Sequence, residues 1–373
     1  MARNIIPVFI PHFGCPHRCV FCQQNRITGW AKAPSPQTVF EMVGQGLQTA
    51  AFGLSQVEVA FYGGSFTALP ADLMKKYLEA VRPYLEAGQV SSIRVSTRPD
   101  AINSKVLCML AEHGVRTVEL GVQSLDPQVL ASAERGYSPE QVWGAASLIK
   151  RHGLVLGVQL MIGLPGDTRE KDMATTREVI RMGPAMVRIY PTLVFNGTRL
   201  YQMWKEGLYT PLDLPEAVDI AADMFIMLEA EGITVIRMGL QPTDEFYTGG
   251  TLAAGPFHPS FGELVESEVF FRQVTVALRS CCEAWQPGEW EVFVAKNDLS
   301  KMIGQSGANR ERLRKVFGAE RLRIKGIDAE ETGWVGLGTA GAKKPDVILS
   351  RGDFYRLWAR GVVSTERPDT VEA

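Results

Sequence analysis

Through its first two-thirds the chain alternates two hydrophobic rhythms: short β-branched runs with a period near two, and longer stretches with apolar residues at three-to-four spacing. The short runs predict strands at 6–10 (IPVFI), 57–62 (VEVAFY), 92–97 (SIRVST), 117–123 (TVELGVQ), 154–162 (LVLGVQLMI), 186–193 (MVRIYPTL) and 233–239 (ITVIRMG). The longer ones predict helices near 36–52, 70–86, 103–113, 127–150, 169–182 and 214–231. A repeated strand–helix unit implies a parallel sheet covered by helices. An open doubly wound sheet and a full or partial (β/α) barrel both satisfy that alternation. The polar signatures favour the barrel, because GGSFT, STRPD, VQS and GLPGDT each close a predicted strand, and several strand ends converging on one site is the habit of a barrel mouth. The expected fold is α/β, a partial (β/α)6-type TIM barrel.

After residue 250 the rhythm breaks in TGGTLAAGPFHPSFGE, resumes as a helix over 262–280, and breaks again at QPGEW, 286–290. The expected organisation is a barrel over 1–250, a connecting loop and helix over 251–285, and a small α+β domain with its tail over 286–373. A length of 373 residues accommodates one large domain and a smaller one. With 46% hydrophobic and 21% charged residues the chain is globular rather than disordered or fibrous. No window approaches the ~20 apolar residues of a membrane span, and NIIPVFI is too short for a signal-peptide core, so a cytoplasmic protein is expected. A net charge of -2 excludes coating of nucleic acid by bulk charge.

Chemistry enters with GCPHRCVFCQQ at 14–24, where Cys15, Cys19 and Cys22 occupy eight consecutive positions. A reducing compartment keeps such thiols free for metal or catalysis rather than for a disulfide framework. Three is one short of a structural zinc set; His12 is a possible fourth ligand, and His17 sits awkwardly between the cysteines. The alternative is a cubane iron–sulfur cluster held by three thiolates, its fourth iron open to a chelating small molecule. Cys108, in the apolar run VLCML, reads as a core residue.

This cysteine spacing, with the aromatic Phe21 directly before Cys22 and the whole loop following the first strand, resembles the radical S-adenosylmethionine (SAM) superfamily. The resemblance implies a [4Fe-4S] cluster, SAM as the fourth ligand through its amino and carboxylate groups, and reductive cleavage to a 5′-deoxyadenosyl radical. It implies a SAM cradle at Gly63, Gly64 and Ser65 in FYGGSFT. Gln123 and Arg135 resemble the pair that meets the ribose region and grips the SAM carboxylate in oxygen-independent coproporphyrinogen oxidases. QLMIGLPGDT resembles the strand end that packs against adenine there. Ser96 and Gln159 occupy positions often held by glutamate and aspartate in those relatives.

TRPD (97–100), ELGVQS (119–124) and RIYPTLVFNGTRLYQMWKEGLY (188–209) resemble the branch containing the Elongator catalytic subunit, which modifies wobble uridine in tRNA. That branch carries an N-terminal tRNA-binding region and an acetyltransferase domain; 14 residues before Cys15 and those after the barrel are too few for them, so the acetyl-based reaction is not carried over and the group transferred stays open. Near the end, EWEVFVAKNDLSKMIGQSGANRERLRKVFGAERLRIKG reads strand, helix, GxxG loop, helix, strand and resembles a KH RNA-binding module. The resemblance implies RNA contacts at Gly304, Gln305, Ser306, Gly307, Arg310, Arg312, Arg314 and Lys315. Residues 301–325 hold eight Lys or Arg against two Glu, a plausible phosphate footprint. Arg310 departs from the aliphatic residue usual in KH helices. GLGTAG at 336–341 has the glycine spacing of a dinucleotide fingerprint but no strand leading in and no helix following.

The function expected is therefore a radical SAM enzyme modifying a base in RNA, most simply tRNA, with flavodoxin or ferredoxin as electron donor. A radical SAM enzyme acting on a small molecule such as a tetrapyrrole, or a non-catalytic RNA-binding protein with a structural metal, are the alternatives.

Overall fold

The structure is a computed structural model describing residues 4–10, 15, 19–22, 33–49, 57–240, 250–280, 289–316 and 318–359. Two compact units emerge, one from residues 1–217 and 233–259, the other from 218–232 and 260–373.

In the first unit seven strands form one parallel sheet curled as a half-barrel: β1 (Asn4–Ile10), β2 (Val57–Gly63), β3 (Ser92–Thr97), β4 (Val115–Gln123), β5 (Val155–Ile162), β6 (Met186–Pro191) and β8 (Thr234–Met238). A short antiparallel pair, β7 (Val194–Phe195) and β9 (Leu252–Ala254), lies outside that sheet. The expected strands are all present, displaced by a residue or two at their ends.

Alternation along these strands explains the sheet's two faces, since successive side chains point to opposite sides. Val8, Val59, Phe61, Ile93, Val95, Val118, Leu120, Val158, Leu160, Val187 and Ile189 are buried on one face. The intervening positions carry Glu58, Arg94, Ser96, Glu119, Gln159 and Arg188, which bond to one another across strands and so share the other face. A parallel sheet ordinarily reads as continuous apolar runs; here the half-barrel interior is polar, and every second residue shows it.

Helix starts are fixed by side-chain caps. Asn103, Asp126, Ser138, Thr168 and Thr198 each accept a hydrogen bond from the first turn that follows, and Ser138 and Gln141 form a reciprocal capping box. The single helix expected over 127–150 is two, Pro127–Ser132 and Pro139–Arg151. Glu134 and Gly136 adopt φ of 53° and 74°, which no continuous helix permits, and Pro139 starts the second.

The second unit carries a four-stranded sheet in the order β11 (Arg321–Ile327), β10 (Glu289–Ala295), β12 (Val335–Thr339), β13 (Val347–Leu349), with β10 and β11 parallel and the other pairs antiparallel. The helix Phe261–Ser280 packs Phe270, Val274, Ala277 and Leu278 into one core with Trp290, Val292, Val294, Met302, Leu313 and Leu337. Gly336 and Gly338 lie inside β12, where a Cβ would strike Pro345 or the Phe293 ring. That packing, not a nucleotide, accounts for the GLGTAG spacing.

Candidate functional site

The C-terminal ends of β1 to β4 bring the candidate residues together. Gly63 closes β2 at φ 107°, and a Cβ there would lie 2.9 Å from the Ile10 carbonyl oxygen, so the close approach of the two strand ends requires glycine. Gly64 N–H donates to that same carbonyl at 2.7 Å. Ser65 is fully buried; its Oγ pairs with Thr97 Oγ1 at 2.9 Å and accepts from Arg98 N–H at 3.2 Å. Its side chain is thus committed to the strand-end network, and its backbone N–H is what reaches the site, as a donor to Cys15.

The described part of the cysteine loop turns tightly, with Cys22 N–H donating to the Cys19 carbonyl at 3.0 Å. Val20 anchors it on both sides, through the Ala133 carbonyl and the Leu200 amide, and packs with Val129, Leu164, Leu200 and Phe21. Two guanidinium groups face the buried Cys19 Sγ: Arg135 Nη1 at 2.9 Å and Arg98 Nη1 at 3.9 Å. Arg135 also donates to Tyr137 Oη at 2.7 Å and to the Gly121 carbonyl at 2.7 Å, and its charge lies 5.9 Å from the centre of the Phe21 ring. Burial pushes the Cys15 thiol up, as does the charge of Cys19, while Arg98, Arg135 and the Ser65 amide pull it down.

Gln123 ends β4 at φ 67°, a left-handed conformation unusual for a side-chain-bearing residue. Its Oε1 is buried without a hydrogen-bond partner, and its amide nitrogen lies beside Gly121, whose carbonyl Arg135 holds. Backbone strain and an orphan buried acceptor thus coincide at one strand end.

Ser96 and Gln159 lie deeper, in the lumen. Gln159 Nε2 donates to Ser96 Oγ at 3.0 Å and to Glu119 Oε2 at 2.9 Å. Glu119 also takes Arg94 at 2.6 Å and Arg188 at 2.8 Å; Arg94 gives two further N–H groups, from Nε and Nη2, to the single oxygen Glu58 Oε2, and Arg188 donates to Tyr62 Oη at 2.7 Å. Burial pulls the Glu119 carboxyl up, yet Arg188 and Arg94 outweigh it and hold the group below its ordinary range. Ser96 and Gln159 thus carry no carboxylate of their own, and the one beside them, Glu119 on the neighbouring strand, is already ion-paired.

The donor set fits a [4Fe-4S] cluster and SAM. Three soft thiols are the ligand type such a cluster takes; cationic and amide donors reach Cys15 and Cys19, and a buried acceptor lies beside them. Among the described residues no three Cys, His, Asp or Glu converge on a single ion; in a cubane each thiolate takes its own iron. His12 and His17, candidate zinc ligands, lie outside the described residues, as do Cys281 and Cys282.

Sequence reasoning missed Arg98, Tyr137, Glu119, Arg94 and Glu58. For Glu58, Arg94 and Glu119 the available signal was a charged residue inside an apolar strand; Arg98 and Tyr137 follow strand and helix ends and carried no such signal. Cys108 corrects an expectation: Leu107 and Leu110 take the buried face of their helix, leaving Cys108 exposed with Sγ 3.7 Å from His152 Nδ1.

In the second unit the helices Leu299–Ile303 and Ala308–Val316 flank the GxxG turn between β10 and β11. Gly304, Ser306 and Gly307 all have positive φ, at 74°, 53° and 79°. Gln305, Ser306, Arg310, Arg314 and Lys315 are exposed. Arg312 is held by Glu268 at 2.6 Å and lies 3.7 Å from the centre of the Phe271 ring. Lys301 pairs with Glu266, and Arg321, Arg323 and Lys325 with Glu289 or Glu291. The basic excess counted along the sequence is therefore largely offset by carboxylates from other segments.

Residues 9–179 match the family model of the radical SAM superfamily, and residues 184–270 match its radical SAM C-terminal domain. The chain is 29% identical over 255 residues to tRNA uridine(34) acetyltransferase of Methanocaldococcus infernus, covering 58% of this chain and 48% of that protein. It is 30% identical over 245 residues to the protein of the same name from Dehalococcoides mccartyi, covering 56% and 53%. The chain thus spans about half the length of these curated relatives. Archaeal Elp3 of M. infernus, solved with an N-terminal deletion, is alike in fold, with a TM-score of 0.56 at 24% identity over 71% of this chain and 62% of that one. Among the described residues no helix is long and apolar enough to cross a membrane.

Proposed function

The chain belongs to the radical SAM superfamily, and on that premise we propose that it is an iron–sulfur enzyme modifying a base in RNA, with tRNA as substrate. The observation that carries the reading is the meeting of Cys15, Cys19, two guanidinium groups and the orphan Gln123 oxygen at one half-barrel mouth. Cys15, Cys19 and Cys22 would hold a [4Fe-4S] cluster. When bound, cluster and SAM supply reductive cleavage of the sulfonium and a 5′-deoxyadenosyl radical that takes a hydrogen from substrate.

The chain's own residues prepare that chemistry. The Ser65 amide donates to the Cys15 sulfur, and Arg98 and Arg135 to that of Cys19. Arg135 engages three of its N–H groups within the protein, leaving two for the SAM carboxylate. Gln123 Oε1 offers an acceptor to a ribose hydroxyl, and Gly63 and Gly64, by closing the end of β2 on Ile10, set the strand-end turn beside the methionine portion. The Phe21 ring lies beside the Arg135 guanidinium, 5.9 Å from ring centre to charge. Ser96 and Gln159 shape the lumen rather than meet SAM directly.

Two features support RNA as the target. Relatives over this region are tRNA uridine(34) acetyltransferases by name, and the second unit has the strand, helix, GxxG, helix, strand order of a KH module, with Gln305, Ser306, Gly307, Arg310, Arg314 and Lys315 as its contacts. The enzyme is read as cytoplasmic, with flavodoxin or ferredoxin as electron donor. A small-molecule substrate is the second reading, favoured by the pairing of Lys301, Arg312 and Lys325 with carboxylates.

Anaerobically purified protein is expected to be brown, with about four iron and four sulfide per chain, and to release 5′-deoxyadenosine with dithionite and SAM. Colourless protein holding one zinc would defeat the enzyme reading. Mass spectrometry of tRNA nucleosides from a deletion strain is expected to lack one modified base; an unchanged profile would favour the small-molecule reading.

A further inference from the structure

The TRPD stretch is not absorbed by the cradle described above. Arg98 follows β3 and is 4% exposed. Its backbone N–H is fixed by Ser65 Oγ, and Pro99 opens a short 3-10 turn behind it. Its guanidinium is bidentate on Asp100, with both bonds at 2.9 Å, and also donates to the Arg135 carbonyl. The remaining edge faces Cys19 Sγ at 3.9 Å. Arg98 therefore holds the main chain of Arg135, the nearer donor to the same sulfur, while adding its own charge to that sulfur's surroundings.

We propose that Arg98 is a positioning residue that sets the reduction potential of the cluster through the Cys19 sulfur, with Asp100 moderating its charge. The inference rests on Cys15, Cys19 and Cys22 being cluster ligands. Hydrogen bonds to cluster sulfurs and net charge nearby are what tune such potentials, and a buried cation acts through a low dielectric with little screening. Reduction adds one electron beside two thiolate-facing cations, so losing a cation disfavours the reduced state. Losing the carboxylate that offsets Arg98 favours it. A clamp that merely held the loop in place would not give shifts of opposite sign.

The test is an EPR-monitored titration of the reconstituted full chain with dithionite, without SAM, alongside iron and sulfide analysis. Arg98→Gln is expected to lower the equilibrium constant for reduction about tenfold, a fall of 59 mV for one electron. Asp100→Asn is expected to move the midpoint upward, and Arg98→Lys, which keeps the charge but not the fork, to fall between Arg98→Gln and the unaltered protein. An unchanged midpoint in Arg98→Gln with full iron overturns the proposal, as does an unchanged or lowered midpoint in Asp100→Asn. Should Arg98→Gln fail to load iron, Asp100→Asn decides alone. Unaltered protein that takes up no iron or sulfide defeats the cluster assignment itself, a result distinct from either outcome.

Discussion

At the scale of single residues, the site depends on atoms whose position leaves no slack. Gly63 at φ 107° sits against a backbone oxygen, which cannot move as a side-chain end would. Gly63→Ala is expected to cost about 1–3 kcal/mol, in the range for a strained backbone position, and to lower iron content after reconstitution; iron analysis and a urea midpoint check both. Asp167 and Asp172 carry a second residue-scale consequence. Burial pushes the Asp167 carboxyl up to about 6, and burial with the Asp167 charge pushes the Asp172 carboxyl well above its ordinary range. The folded protein therefore holds protons that the unfolded chain, with Asp near 3.9, has already released. Stability falls as pH rises from about 4 through 6, by about 1.4 kcal/mol per unit of pKa difference. Thermal midpoints across that range are expected to decline, and Asp172→Asn to flatten the decline, because it removes the more buried of the two raised carboxyls.

At the scale of elements, the half-barrel owes its polar interior to one charged or amide side chain per strand. Glu58 from β2, Arg94 from β3, Glu119 from β4, Gln159 from β5 and Arg188 from β6 form a continuous, charge-balanced ladder. Such a network adds little over an apolar core of equal shape, but breaking it is costly because a charge is left buried and alone. Glu119→Gln leaves Arg188 without its carboxylate, whereas Arg94 keeps Glu58. A loss of about 3–5 kcal/mol is expected, read as a lowered urea midpoint with unchanged slope. The strands themselves were legible in the sequence, because β-branched alternation needs no partner to be seen. The split of 127–150 into two helices was less so: apolar spacing continues across Glu134 and Gly136, and only their backbone angles end the first helix.

At the scale of the whole molecule, charge counted along the chain misleads where the fold supplies counter-charges. Eight cations between 301 and 325 suggest a strong footprint, yet Glu266, Glu268, Glu289 and Glu291 reach five of them from other elements. Arg314 and Lys315 remain exposed on the helix after GxxG. Replacing both with Gln is expected to weaken tRNA binding several-fold at low salt and to shallow the log–log salt slope by about 1.4, at roughly 0.7 per single-strand phosphate contact. An unchanged slope would remove this helix from the RNA interface. Arg312 is a poor probe, because its loss also disturbs Glu268 and Phe271. The cysteine spacing, the strand-end glycines and the alternating strands were determined by sequence alone, since each is a local pattern with a local physical cause. Which cations face Cys19, which carboxylate completes the lumen, and which basic residues stay open to solvent were decided only by tertiary structure. Those are properties of pairs far apart in the chain, and hydrogen bonds and ion pairs form by proximity in space rather than by order in sequence.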